Sequence, residues 1–210
     1  MRFQERRLLL DTARRMAALG LAPGTSGNVS IRVDDGMLIT PSGVSYDEMT
    51  REELVEVDGH GRTRGGAPST EWRLHQGLYA SRPEVAAIVH THSRHATALS
   101  CLRRGIPAFH YMVAIAGGDD IRCAAYATFG TAELAASAAA ALAGRRACLL
   151  ANHGAVALGG DLASALRLAV EVENLAAQYT AALALGEPII LDAAEMARVR
   201  ERFRGYRGLE

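Results

Sequence analysis

Apolar and polar positions along the 210-residue chain follow two different periods. Apolar side chains recur every three or four positions in residues 5–19, 131–143 and 162–185, which predicts three helices. Residues 29–33 alternate with a period of two, as a half-buried strand does, and the turn at 34–36 predicts a second strand paired with the first.

The remaining elements mix hairpins with helices. Further strands are predicted at 54–57, within 86–92 and in a hairpin over 148–160, and further helices after Pro68 and after Asp192. Regular alternation of strand and helix is absent from this order. This mixed order of hairpins and helices therefore favours an α/β fold with a central, largely antiparallel β-sheet covered by helices.

No internal repeat or long linker divides the chain, so we expect a single domain over residues 1–210. The polar C-terminal segment, from about residue 197 to 210, is expected to be a mobile tail.

The overall charge excludes some partners and favours none. Basic and acidic side chains number 23 each, so no net field would attract nucleic acid or an anionic membrane, and neither partner is expected. No signal peptide or membrane-spanning stretch is visible. Cys101, Cys123 and Cys148 are scattered and lack CxxC spacing, which predicts free thiols in a cytoplasmic protein.

Two histidines follow the apolar run at 86–89. On a strand, residues two apart project from the same face, so His90 and His92 would lie side by side. His153 ends a second apolar strand, just before Gly154. A single histidine is more often structural, but three neutral imidazoles bind a borderline divalent cation well.

A carboxylate completes the candidate ligand set. Glu71 lies in the first turn of the helix predicted after Pro68; taken alone, it is typical of an acid favoured by the helix dipole. Together with the three histidines, Glu71 would complete a four-ligand zinc site in which the carboxylate oxygen is the displaceable ligand. A cupin would need an acid soon after the histidine pair, and a zinc protease would need His-Glu-x-x-His; both are absent.

Three loops combine small residues, hydroxyl groups and backbone N–H groups: 24–28, 41–43 and 68–70. Each is most simply a turn. Together, with the last one opening a helix, they could converge on one phosphate group.

A family resemblance joins these features. PGTSGNVS, LITPSG, PSTEW, VHTHS, HYMVAIAGG, YATFGT and NHG occur in the order and approximate spacing of the class II aldolase/adducin family, from about Arg7 to the tail. Within the family the sequence most resembles the L-fuculose-1-phosphate aldolases, through HYMVAIAGG, YATFGT and a late tyrosine.

The resemblance implies a three-layer fold, a Zn²⁺ ion and a sugar-phosphate substrate. The implied metal ligands are Glu71, His90, His92 and His153. The implied phosphate-binding residues are Gly27, Asn28, Ser42, Gly43, Ser69 and Thr70.

The implied reaction is reversible cleavage of L-fuculose 1-phosphate, or a close ketose 1-phosphate, to dihydroxyacetone phosphate and a small aldehyde such as L-lactaldehyde. Glu71 would leave the metal and act as the base. A lysine Schiff base is excluded, because all 23 basic residues are arginine.

Three further roles rest on the resemblance alone. Tyr111 would act at the aldehyde oxygen from a neighbouring subunit, Tyr206 would close over the substrate, and Phe129 would line the aldehyde pocket. A catalytic residue shared between subunits implies a homotetramer with active sites at the subunit interfaces.

Two different functions remain open within the family. The first is another enzyme of the family, like L-ribulose-5-phosphate 4-epimerase or methylthioribulose-1-phosphate dehydratase. The epimerase would use an acidic residue across the subunit interface, and Asp119 and Asp120 are candidates for that acid. The second is a non-enzymatic, adducin-like structural protein, which should lack metal ligands.

Overall fold

The computed structural model describes residues 2–204. The strands are β1 (Asn28–Val33), β2 (Gly36–Ile39), β3 (Val55–Val57), β4 (Thr63–Arg64), β5 (Ala87–Thr91), β6 (Arg122–Ala124), β7 (Ala147–Leu150) and β8 (Gly154–Gly159). The helices are α1 (Phe3–Ala18), α2 (Trp72–Ser81), α3 (Arg94–Cys101), α4 (Ala132–Ala141), α5 (Leu162–Leu185) and α6 (Ala193–Phe203), with a 3₁₀ helix at Tyr111–Ala116.

The eight strands form one sheet in the order β4-β3-β2-β1-β5-β8-β7-β6. Six of the seven strand pairings in residues 2–204 are antiparallel, and β6 pairs with β7 in parallel. The prediction of a largely antiparallel sheet is therefore confirmed.

Helices cover both faces of this sheet. Leu74 and Leu78 of α2 pack in one core cluster together with Ile88 of β5. Val89, the next residue of β5, packs in a second cluster on the opposite face with Val172 of α5. All of β5 is buried for this reason, which explains its unbroken apolar run and gives the three-layer arrangement.

The end of β5 meets the starts of two neighbouring strands at one edge of the sheet. Both β1 and β8 run antiparallel to β5, with Asn28 opposite His90 and Ala155 opposite Thr91. The loop before β1, the histidine pair and His153 before β8 are consequently brought to the same edge.

Two segments differ from expectation. The 3₁₀ helix and β6 lie in a region where the glycine pair at 117–118 predicted only a loop. Helix α6 extends to Phe203, so the tail expected from about residue 197 is helical over its first part; Met196 is fully buried, and Val199 and Phe203 pack against the core.

Between residues 2 and 204, no helix is both long and apolar enough to cross a membrane. Cys101, Cys123 and Cys148 are free thiols, as predicted.

Candidate active site

The three histidines predicted to bind a metal surround one point at the edge of the sheet. Their ring centroids lie 4.8–4.9 Å apart, and one nitrogen from each ring lies within 4.8 Å of the others. The Nε2 atoms of His90 and His92 are 3.0 Å apart. Two nitrogen ligands of one tetrahedral Zn²⁺ would lie roughly 3.3 Å apart, so the spacing suits a single ion.

The protein fixes the tautomer of the central histidine. His90 Nδ1 lies 3.0 Å from the carbonyl oxygen of Ala155, to which only a protonated nitrogen can donate. Its Nε2 therefore carries the lone pair and points towards His92 and His153. A carbonyl that accepts from the far ring nitrogen is the usual support of a metal-binding imidazole.

All three imidazoles are held neutral. Burial lowers the pKa of His90 well below its ordinary value, and the neighbouring His153 and His92 lower it further. Burial also lowers the pKa of His92, and burial together with His92 lowers the pKa of His153 to about 4. Lone pairs are therefore available to a cation at neutral pH.

Glu71 lies in the same cavity but stands apart from the histidine cluster. The residue is buried, and its Oε1 accepts a hydrogen bond from the backbone N–H of Gly130 at 3.0 Å. Its Oε2 is enclosed and has no hydrogen-bond partner among residues 2–204. Burial raises the pKa of the carboxyl, and the Gly130 bond opposes this in part. Its role as the fourth metal ligand stays a prediction.

The three hydroxyl-rich loops converge on the histidines. They form a cavity of about 280 Å³ together with Glu71, His90, His92 and His153. Every residue predicted to bind phosphate lines this cavity: Gly27, Asn28, Ser42, Gly43, Ser69 and Thr70. A larger groove of about 900 Å³ lies elsewhere, near the start of α5, and none of the predicted site residues line it.

Phe129, which is predicted to line the aldehyde pocket, lies in the wall of this cavity, and sequence reasoning missed two further lining residues. Tyr126 and Asn152 also line the cavity. Asn152 has a left-handed backbone (φ 54°), and its side-chain oxygen accepts from Arg103, whose guanidinium lies 6.0 Å from the Tyr126 ring centre. In the sequence, the YATFGT motif could have indicated Tyr126, and the position directly before His153 could have indicated Asn152.

Tyr111, one of the two predicted catalytic tyrosines, does not line this cavity. Tyr111 opens the 3₁₀ helix, is 49% exposed, and has its ring near those of His110 and Phe203. Tyr206 lies outside the described residues.

Family comparison agrees with this geometry. Residues 7–180 match the class II aldolase and adducin N-terminal domain. The chain belongs to this family.

Individual relatives cover nearly the full chain. A 5-methylthioribulose-1-phosphate/5-deoxyribulose-1-phosphate aldolase of Rhodospirillum rubrum is 55% identical over 199 residues, or 94% of this chain and 90% of the relative. An L-fuculose phosphate aldolase of Escherichia coli K12 is 50% identical over 202 residues, which cover 95% of this chain and 94% of the relative. A solved structure of an L-fuculose 1-phosphate aldolase superposes with a TM-score of 0.93 at 40% identity, covering 97% of this chain and 98% of the other.

Substitution of Gly154 should disturb this class II aldolase site directly. A Cβ atom there would lie 2.2 Å from the carbonyl oxygen of Thr91 and 3.1 Å from the His92 ring, so β5 and β8 would have to separate. We expect Gly154→Ala to lower the free energy of unfolding by about 1–3 kcal/mol, measured by urea unfolding, and to reduce metal binding. Gly160→Ala is the control, since a Cβ atom there meets nothing; equal stability of the two variants would contradict this expectation.

Acid should destabilise the metal-free protein through its buried histidines. Burial lowers the pKa of His75 from 6.5 to about 3, so between these values the unfolded chain binds a proton that the folded chain does not. The urea midpoint should therefore fall as the pH drops from about 6.5 towards 4. His75→Gln, which cannot titrate there, should show a shallower fall; a midpoint independent of pH would contradict this.

Proposed function

We propose that the protein is a zinc-dependent aldolase that reversibly cleaves L-fuculose 1-phosphate, or a close ketose 1-phosphate, to dihydroxyacetone phosphate and a small aldehyde such as L-lactaldehyde. The observation that carries this proposal is one cavity that contains three neutral imidazoles, a buried carboxylate and three hydroxyl-rich loops. The same cavity can thus accommodate a metal, a base and a phosphate.

The donor set fits Zn²⁺. His90, His92 and His153 would hold the ion, and Glu71, which lines the same cavity, is proposed as the fourth, displaceable ligand. When bound, zinc supplies a Lewis acid that polarises a carbonyl group.

The phosphate group would lie against the three loops. Ser42, Ser69 and Thr70 offer hydroxyl and backbone donors there. Thr70 and Glu71 also precede α2, whose N-terminal end favours negative charge. Such a neutral site binds an anion without lysine or arginine among its lining residues.

Glu71 is the residue best placed to take a proton from carbon. Its raised pKa makes it a stronger base than an ordinary glutamate, and its Oε2 is free of hydrogen bonds within residues 2–204. The Gly130 N–H binds the other oxygen and holds the carboxylate in the wall of the cavity.

Acid catalysis at the aldehyde oxygen is assigned to Tyr111 of a neighbouring subunit. Its exposure, away from the cavity of its own chain, supports a homotetramer with sites between subunits. Tyr206 is proposed to close over the substrate, and Phe129 to line the aldehyde end. The free thiols support a cytoplasmic location.

A second substrate of the same reaction has specific support. The Rhodospirillum rubrum relative is named for 5-methylthioribulose 1-phosphate and 5-deoxyribulose 1-phosphate, so these ketose 1-phosphates are the second candidate substrates for this chain. They would release the same dihydroxyacetone phosphate and differ in the aldehyde.

Epimerase, dehydratase and structural roles have weaker support. Arg145 forms ion pairs with Asp119 at 2.7 Å and with Asp120 at 2.6 Å, so neither carboxylate is free to serve an epimerase across an interface. A dehydratase has no separate structural support. A purely structural, adducin-like role does not explain a complete histidine triad.

Release of dihydroxyacetone phosphate from a panel of ketose 1-phosphates tests the proposal. We expect cleavage of L-fuculose 1-phosphate or of the two ribulose 1-phosphates, loss of activity with chelator, and recovery with Zn²⁺. Interconversion of ribulose 5-phosphate without cleavage of any ketose 1-phosphate would support the epimerase instead.

A further inference from the structure

A chain of four buried polar side chains lies behind the phosphate loops. Asn28 and Ser30 project from the same face of β1 towards His75 and Tyr79, which are one turn apart on α2. The Ser30 hydroxyl lies 2.8 Å from the Tyr79 hydroxyl and 2.6 Å from His75 Nδ1. His75 Nε2 lies 2.5 Å from Asn28 Oδ1. Asn28 alone among the four lines the cavity.

The protons of this chain can run in either of two directions. In the first, Tyr79 donates to Ser30, Ser30 donates to His75 Nδ1, and His75 Nε2–H donates to the Asn28 carbonyl oxygen. In the second, His75 Nδ1–H donates to Ser30 and the Asn28 amide donates to His75 Nε2. Either the Ser30 or the Tyr79 hydroxyl hydrogen then has no acceptor, because neither hydroxyl has a further partner among residues 2–204. A buried donor without a partner is costly, so the first direction is favoured.

Burial supports a directed chain. It lowers the pKa of His75 to about 3, so the imidazole is neutral and must have one accepting and one donating nitrogen. Burial also raises the pKa of Tyr79, which keeps its hydroxyl proton in place.

We propose that His75 is a positioning residue whose Nε2–H fixes the Asn28 side-chain amide with its nitrogen facing the cavity, where it donates to the phosphate group of the substrate. The inference rests on the proposed function, because it takes the anion in this cavity to be a sugar phosphate. Asn28 Nδ2 has no hydrogen-bond partner in the described part of the chain, so it is available to a ligand.

The opposite tautomer would have the opposite effect. With the proton on Nδ1, His75 Nε2 would accept from the Asn28 amide nitrogen. The amide would then turn its oxygen towards the cavity and repel a phosphate. A histidine out of reach of the ligand thus decides whether the cavity presents a donor or an acceptor.

The tautomer can be measured without any assay of activity. In ¹⁵N-histidine-labelled wild-type protein, NMR should show His75 protonated at Nε2 and unprotonated at Nδ1, with assignment by loss of the signals in His75→Gln. A proton on Nδ1 would overturn the proposal, whatever reaction the protein catalyses.

Kinetics of matched variants test the link to phosphate. The amide of Gln can replace Nε2–H, whereas the shorter Asn replaces only Nδ1. On a ketose 1-phosphate that the wild type cleaves, we expect His75→Asn to raise KM by roughly 10- to 100-fold with kcat nearly unchanged, and His75→Gln to restore KM to within a few-fold. If His75→Asn does not fold, Tyr79→Phe, which removes the terminal donor, should raise KM in the same direction.

A double-mutant cycle separates positioning from a general structural defect. In an Asn28→Ala background, His75→Asn should add little to KM, because the amide that it orients is gone. An equal rise in both backgrounds would overturn the proposal. Failure of the wild type to cleave any ketose 1-phosphate would reject the proposed function, while the NMR result would still decide the tautomer.

Discussion

Replacing Glu71 by Gln is expected to lower kcat by about 10²- to 10⁴-fold, the range that a general base typically contributes. The amide keeps the shape of the side chain, and its oxygen can still accept from Gly130 N–H, but it cannot take a proton from carbon. Three imidazoles remain, so bound zinc should be largely retained. Steady-state kinetics and metal analysis of the same preparation measure both quantities.

The matched control for this variant is Glu133→Gln, an exposed acid in the first turn of α4. It should leave both kcat and zinc content unchanged. Normal turnover by Glu71→Gln would rule out Glu71 as the base, and loss of zinc in that variant would show that the carboxylate is needed to hold the metal.

The second large effect is expected for His153→Ala. This change leaves two imidazoles, which hold Zn²⁺ far more weakly than three, so the metal content should fall from about one ion per chain to a small fraction. Activity should fall by roughly 10³-fold or more, because a metal Lewis acid contributes several kcal/mol to stabilising the transition state. Metal analysis after dialysis, followed by kinetics, tests both.

His60→Ala is the control here, since His60 is exposed and does not line the cavity. It should bind zinc and turn over like the wild type. Full zinc content and normal activity in His153→Ala would remove His153 from the metal site.

Much of the fold could be predicted from the sequence because burial leaves a periodic signal. Strand β5 reads as a continuous apolar run since both of its faces are covered, and α5 keeps helical spacing over its whole length. Short elements leave less signal. Strand β6 has three residues and takes its place by pairing with β7, a contact that is distant in sequence.

The histidine triad was predictable because its residues lie at the ends of apolar strands, and antiparallel pairing brings those ends together. The hydrogen bond from the Gly130 N–H to the Glu71 carboxylate could not be predicted, because it comes from a loop 59 residues away in the sequence. The role of His75 was also hidden: on α2 its spacing is that of a core residue, and its polar partners come from β1.

The central claim is that this cavity removes a carbon-bound proton from dihydroxyacetone phosphate. Incubation with that compound in D₂O, without any aldehyde, tests it by NMR independently of the aldehyde that the enzyme uses. We expect incorporation of one deuterium at the hydroxymethyl carbon by the zinc-loaded wild type, and none by the chelated protein or by Glu71→Gln. No incorporation by zinc-loaded wild-type protein would contradict the claim.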